Sequence, residues 1–331
     1  MASWLAAKQP GRRLERLELR RPQPGLSSDT LLAELSWSAD PPQSLVLRLA
    51  PAGPGLFPDH GLARQFRLQA ALRQAGMPVA APLALEEDPA WLGSPFMLME
   101  KVAGRTLDTN PSFLTAGWLH DSPPSEQRRL HQGFLEALAE LHRLDWQGLD
   151  LGFAARPGGP GLASELAWWA DYLAWASEGH SAPAALVEGL EWCRSHLPAD
   201  PPPDSLLWGD VQLANAVFGP DLSPVAILDW EMACIGPAEV DLGWFLALHR
   251  ASAEACGADL PGFLDRPAAL ALYQRRLGRP LADLGWFEAF GALRAAAILV
   301  RMAGLLSRHH PGAAALARDN PPLALLSRLM G

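Results

Sequence analysis

The sequence predicts an α+β protein of two lobes, a small β-rich first lobe and a larger helical second lobe. Three observations carry that prediction. Alternating apolar residues bounded by turn signals are concentrated in the first third of the chain. Most of the remainder repeats apolar residues at helical spacing. One short stretch, 205–245, interrupts the helices with strand-like apolar runs and isolated polar residues. A doubly wound sheet would instead alternate strands and helices throughout.

Residues 1–20 form a polar lead-in with room for a short helix or strand. Residues 31–37 read as a strand with Leu31, Ala33, Leu35 and Trp37 on one face. A turn over 38–43 leads to a second strand over 44–49, which makes a hairpin. A Pro/Gly loop follows at 51–58, then a helix over 61–75 that repeats Leu62, Phe66 and Ala70 and stops at Gly76. Residues 95–100 read as a buried strand, and Gly104 lies just beyond it, so the lobes divide into 1–102 and 103–331. Helices are expected over 130–144, 162–176, 184–197, 267–277 and 286–306. The tryptophans of 162–197 are read as packing residues.

The 331 residues are 49% hydrophobic and 19% charged, a globular composition long enough for a substantial core. A net charge of −9 argues against nonspecific binding to nucleic acid or to anionic membrane. No stretch of spanning length is expected, and no signal-peptide core precedes the early basic residues. Cys193, Cys234 and Cys256 form no paired framework, which fits a reducing cytoplasm. The oligomeric state is not readable from the sequence.

The chemistry lies in 205–245, where Asp210, Asn215 and Asp229 stand among apolar residues. Asp229 ends the run Pro224-Val-Ala-Ile-Leu228, where a carboxylate can leave a buried strand. Phosphoryl transfer needs a carboxylate to take the proton of an attacking hydroxyl. It also needs oxygen ligands that hold Mg²⁺ against nucleotide phosphates. Asp210 is assigned as the catalytic base, with Asn215 and Asp229 as Mg²⁺ ligands. The D-x4-N spacing alone is weak, and turn capping explains such pairs equally well. The conjunction is stronger: Trp208-Gly209-Asp210, then Leu228-Asp229-Trp230-Glu231-Met232-Ala233, then Gly236-Pro237-Ala238-Glu239-Val240-Asp241-Leu242.

These runs resemble the aminoglycoside phosphotransferase / choline kinase superfamily. The nearest resemblance is to the kinase-like portion of certain acyl-CoA dehydrogenases and its stand-alone bacterial relatives. It extends over about residues 25–302 and implies a bilobal, protein-kinase-like fold with ATP or GTP as co-substrate in the cleft between the lobes. Gly25, Ser27, Ser28 and Thr30 then correspond to the nucleotide loop. Arg48, a lone cation in an apolar strand, corresponds to the residue that contacts the α and β phosphates; an edge-strand Arg facing solvent is the alternative. Gln65 stands where the family has a Glu partner for that cation, so the ion pair loses its acidic half. Backbone groups near Glu100 and Val102 would read the base, with Met97, Leu98 and Met99 as candidate pocket residues. Trp208 replaces the commoner His, and Asp241 is expected to brace the catalytic loop.

The expected activity is phosphoryl transfer to a hydroxyl of a small molecule. Few carboxylates in 162–197 and 286–306 lean the acceptor toward an apolar or acyl-bearing compound. The rival reading is a catalytically weak, nucleotide-binding regulatory protein, motivated by Gln65. His142 reads as a packed residue, and His309-His310 lacks the spacing of a metal site.

Overall fold

The computed structural model describes residues 1–21, 29–38, 40–51, 53, 55–179, 181–307 and 310–331. The chain divides into two compact units, Met1–Ala103 and Gly104–Gly331.

The first unit contains α1 (Ala2–Lys8), β1 (Leu14–Arg20), β2 (Asp29–Trp37), β3 (Gln43–Leu49), α2 (Leu62–Gln74), β4 (Pro82–Glu86) and β5 (Phe96–Glu100). The strands form one antiparallel sheet in the order β1-β2-β3-β5-β4. Period-two alternation sends Ala33, Leu35 and Trp37 of β2 to one face, where Trp4 and Leu5 of α1 join Leu47, Phe96 and Leu98 in a core. Met97 and Met99 point to the opposite face and cluster with Ala80, Val46, Phe66 and Val102. Of the three candidate base-pocket residues, Leu98 therefore belongs to the other layer. Arg48 lies on a central strand, opposite Thr30 on β2 and Met97 on β5, and is buried. The edge-strand alternative for it does not hold.

The second unit contains α3 (Pro124–His142), α4 (Leu162–Ala176), α5 (Ala184–Ser195), β6 (Asp204–Leu207), β7 (Ala216–Phe218), β8 (Pro224–Ile227), β9 (Cys234–Pro237), α6 (Ala238–Cys256), α7 (Arg266–Leu277), α8 (Gly285–Leu306) and α9 (Pro321–Met330). Two small antiparallel ladders, β6 with β9 and β7 with β8, carry the motif segment among these helices. Helices α6 and α8 pack along one another through glycines. A Cβ on Gly243 would stand 2.5 Å from the backbone of Phe287, and one on Gly291 would stand 2.8 Å from the Cα of Trp244. Only residues without a side chain allow that approach.

By length and composition α8 could cross a membrane, although Glu288, Arg294 and Arg301 divide it and it holds no 18 consecutive apolar residues. Most of it is buried within the protein, and it carries the buried Glu288 and Arg294, as a core helix does.

Candidate active site

The site forms around the turn that leaves β6. Gly209 has φ +89°, and a Cβ there would lie 2.4 Å from the Met232 carbonyl oxygen, so the turn requires glycine. The backbone N–H groups of Trp208 and Gly209 donate to the two carboxylate oxygens of Asp241, at 2.7 and 3.0 Å. Asp241 is completely buried and also receives His142 Nε2 at 3.1 Å, while Nδ1 of the same ring meets the Tyr273 hydroxyl. The carboxylate acceptor makes Nε2 the protonated nitrogen of His142. Asp241 thus has the bracing role expected of it, and His142 is a buried support. Glu239, in the same run, takes both terminal nitrogens of Arg279, at 2.6 and 2.9 Å.

The indole N–H of Trp208 donates to the Leu228 carbonyl at 2.8 Å, and the Leu228 N–H donates to the Asn215 carbonyl at 2.8 Å. These two bonds tie the Asp210 loop to the end of β8. Asp229 follows with φ +60°, a conformation costing an L-residue roughly 1 kcal/mol or more, and one that recurs at functional sites. Trp208→Phe keeps most of the packing but leaves the Leu228 carbonyl without its donor, so kcat should fall about tenfold and the fold should lose about 1–3 kcal/mol. Trp208→His restores a donor and should recover most of that loss. Steady-state kinetics on the two variants checks this, and wild-type turnover by the Phe variant would refute it.

Asp210, Asn215 and Asp229 are all half-buried. Gln212 Nε2 donates to Asp210 Oδ1 at 2.5 Å, and Asn215 Nδ2 donates to Asp210 Oδ2 at 2.8 Å and to the Asp210 carbonyl at 3.2 Å. The two amides fix the carboxylate plane. Burial pushes the Asp210 pKa up to about 6, and the charge of Asp229 adds to the rise; the two amide donors offset part of it. A carboxylate poised there accepts a proton more readily near neutral pH than an ordinary Asp.

The donor set fits a hard cation that keeps water and phosphate ligands. Asn215 turns its amide nitrogen to Asp210, so its amide oxygen is the atom that could serve a cation. Asp229 supplies a carboxylate whose charge is felt at Asp210. Mg²⁺ commonly uses only one or two carboxylates and completes its shell with phosphates and water. In keeping with that, among the described residues no three His, Cys, Asp or Glu gather as a closed metal cage.

The other candidates lie in the first unit. Gly25, Ser27 and Ser28 fall outside the described residues. Thr30 is on β2, in register with Arg48. Gln65 is buried; its Nε2 donates to the His60 carbonyl at 2.7 Å, and its Oε1 has no hydrogen-bond partner. With that oxygen unpartnered, Gln65 and Arg48 are not hydrogen-bonded to each other. The Glu100 N–H is taken by the Ala81 carbonyl and the Lys101 N–H by that of Ser44, whereas Val102 is half-buried beside Met97 and Met99.

Sequence reasoning missed Gln212, a single amide inside the D-x4-N run. It also missed the buried pair Arg156–Glu165, at 2.7 Å, whose arginine also reaches the Met232 carbonyl at 3.3 Å. Trp169 Nε1 and Cys234 Sγ donate to the same Glu165 carboxylate, at 2.8 and 3.3 Å. Glu165 was legible only as one of two acids, with Asp171, on an apolar, tryptophan-rich helix.

Comparison with known proteins agrees with this architecture. Residues 18–281 match the sequence profile described as the phosphotransferase enzyme family, APH. Acyl-CoA dehydrogenase family member 11 of Homo sapiens is 33% identical over 204 residues, 61% of this chain and 25% of that protein. The chain thus spans about a quarter of the length of that relative. A Ralstonia eutropha crystal structure described as a "putative aminoglycoside phosphotransferase" superposes with a TM-score of 0.74 at 25% identity, covering 99% of this chain and 96% of that one. A thermostable mutant of aminoglycoside phosphotransferase APH(4)-Ia, solved as a ternary complex with AMP-PNP and hygromycin B, gives 0.60 at 15% identity over 99% and 97% of the two chains. The antiparallel first sheet and the helical second unit are those of this kinase-like fold.

Proposed function

The chain belongs to the phosphotransferase enzyme family APH, and on that premise we propose that it moves the γ-phosphoryl group of MgATP or MgGTP to a hydroxyl of a small molecule. The observation that carries this reading is the Asp210–Asn215 pair, hydrogen-bonded to each other, with the charge of Asp229 bearing on the same carboxylate.

In this reading Asp210 accepts the proton of the attacking hydroxyl through a carboxylate already oriented by Gln212 and Asn215. Asn215 and Asp229 would hold Mg²⁺, which when bound offsets the charge of the triphosphate. Arg48 and Thr30, with Gly25, Ser27 and Ser28, would hold phosphates. Gln65 would lie beside them without adding charge. The backbone at Glu100 and Val102 would meet the base; with the Glu100 N–H engaged by Ala81, Val102 is the better placed of the two. Three free thiols, two of them buried, suit a reducing compartment, and cytoplasmic placement belongs to the same proposal.

A cavity of about 390 Å³ in the second unit supports an apolar acceptor. Gln212, which touches Asp210, lines it together with Phe113, Val211, Phe245, Leu248 and Leu299. Its lining contains no Asp or Glu, so a polycationic aminoglycoside would find no counter-charge there. The test is phosphate transfer across a panel of acyl-bearing and apolar hydroxyl compounds set against kanamycin-like polyamines. Saturable transfer to the first group alone is expected. Saturable transfer to the polyamines alone would overturn the acceptor assignment. Gln65, with its unpartnered oxygen, motivates the regulatory reading. Mg²⁺-dependent nucleotide binding, seen as a thermal shift with no transfer to any acceptor, would favour it.

A further inference from the structure

Arg294 is the one cation in the apolar run of α8 from Phe290 to Val300, and it is completely buried. Its Nη2 donates to the Gly209 carbonyl at 3.0 Å, while Nε and Nη1 have no hydrogen-bond partner. Aromatic faces surround the rest of the guanidinium: the ring centroids of Trp244, Trp169 and Phe290 lie 4.7, 5.0 and 5.7 Å from its central carbon. Cation–π attraction offsets part of the lost hydration but leaves two nitrogens unsatisfied. Burial pulls the guanidinium pKa down, against the pull of Glu165 and Asp241. Breaking even with an apolar side chain of the same volume is difficult for such a group. The burial cost therefore points to a role other than stability.

The place of the one satisfied bond identifies that role. The Gly209 N–H is held by the Asp241 carboxylate, and the Gly209 carbonyl, in the peptide that leads into Asp210, is held by Arg294. Two buried groups of opposite charge thus grip the glycine that sets the position of Asp210. The positive charge of Arg294 also bears on the Asp210 carboxylate and favours its ionised form.

We propose that Arg294 is a positioning residue for phosphoryl transfer, clamping the Gly209 carbonyl in the peptide that leads into Asp210. The proposal rests on the reading of Asp210 as the catalytic base. Removing the clamp is expected to leave nucleotide binding intact, because the contacts of Arg294 are with Gly209 and the rings of Trp169, Trp244 and Phe290. It loosens the base.

The test compares wild type, Arg294→Met, Arg294→Lys and Asp210→Ala. Phosphate transfer, or slow release of phosphate from MgATP, is measured alongside unfolding in denaturant. Arg294→Met is expected to keep or raise the unfolding midpoint, keep KM for MgATP within about twofold, and lower kcat by about 10–100-fold. Arg294→Lys should regain part of kcat. A loss of kcat at unchanged KM, in a variant whose unfolding midpoint is kept and which lysine partly rescues, separates a positioning role from a merely structural one. Wild-type kcat in a folded Arg294→Met variant, with Asp210→Ala inactive, would overturn this inference alone. Wild-type turnover by Asp210→Ala would overturn the site assignment beneath it.

Discussion

Asp210→Asn is expected to lower turnover by about 10³-fold and, at pH 8, to raise the melting temperature. The two effects share one cause. The Asp210 pKa stands near 6 instead of its ordinary 3.8 because the carboxylate is enclosed and faces Asp229. A raised pKa means that the folded state binds the proton more tightly than the unfolded state. The protein is then most stable, as far as this group is concerned, below pH 3.8, and loses stability as pH rises toward 6. The full shift is worth about 3 kcal/mol; solvent screening of a half-buried group reduces it to about 2. The amide loses one of the hydrogen bonds from Gln212 and Asn215, at about 1 kcal/mol. Asp210→Asn should therefore stabilise by about 1 kcal/mol at pH 8 and destabilise by a similar amount at pH 4. That corresponds to roughly 2–4 °C in opposite directions. Melting curves of both proteins from pH 4 to 8 provide the check, and parallel curves would contradict the electrostatic account.

Glu165→Ala should be among the most damaging single changes away from the reacting groups. It leaves Arg156 charged and buried, removes an acceptor from Trp169 and Cys234, and loosens the hold of Arg156 on Met232, whose carbonyl abuts Gly209. Breaking one half of a buried pair costs about 3–5 kcal/mol, enough to lower Tm by roughly 10 °C in a unit of this size. Arg156→Met with Glu165→Leu should recover much of that loss, because both charges leave together. The wild-type pair also fixes an acid limit. Burial raises the Glu165 pKa, but Arg156 and then Arg294 bring it below the ordinary value, to about 2. Its contribution is complete above about pH 4.5 and disappears as pH falls toward 2. A double variant no less acid-sensitive than wild type over that window would count against this assignment.

Elements with a one-sided pattern were legible before any coordinates. Helix α4 spans Leu162–Ala176, matching the expected 162–176, because its apolar stripe and flanking glycine are local signals. β2 and β3 were legible for the same reason. Helix α6 was not, since Ala238 to Phe245 are all buried and offer no polar face, and Gly243 reads as a break. β6 and β9 have four residues each, too few for alternation to register, and they pair across the whole motif segment. In the site, Asp210 and Asn215 were legible because they sit five residues apart and hydrogen-bond directly. Arg294 reaches the same loop from a distant helix, a relation that no local spacing records. Gln65 was read correctly as chargeless, and its Oε1, the atom to which an arginine would donate, meets no hydrogen-bond donor.

The glycine contact between α6 and α8 bears on how this protein can change over generations. One helix carries Asp241 and the other Arg294, and both hold Gly209, one at its N–H and the other at its carbonyl. A methyl group at Gly243 or Gly291 would force the helices apart and disturb both holds at once. A change at any one of Asp241, Gly243, Gly291 and Arg294 is therefore constrained by the other three.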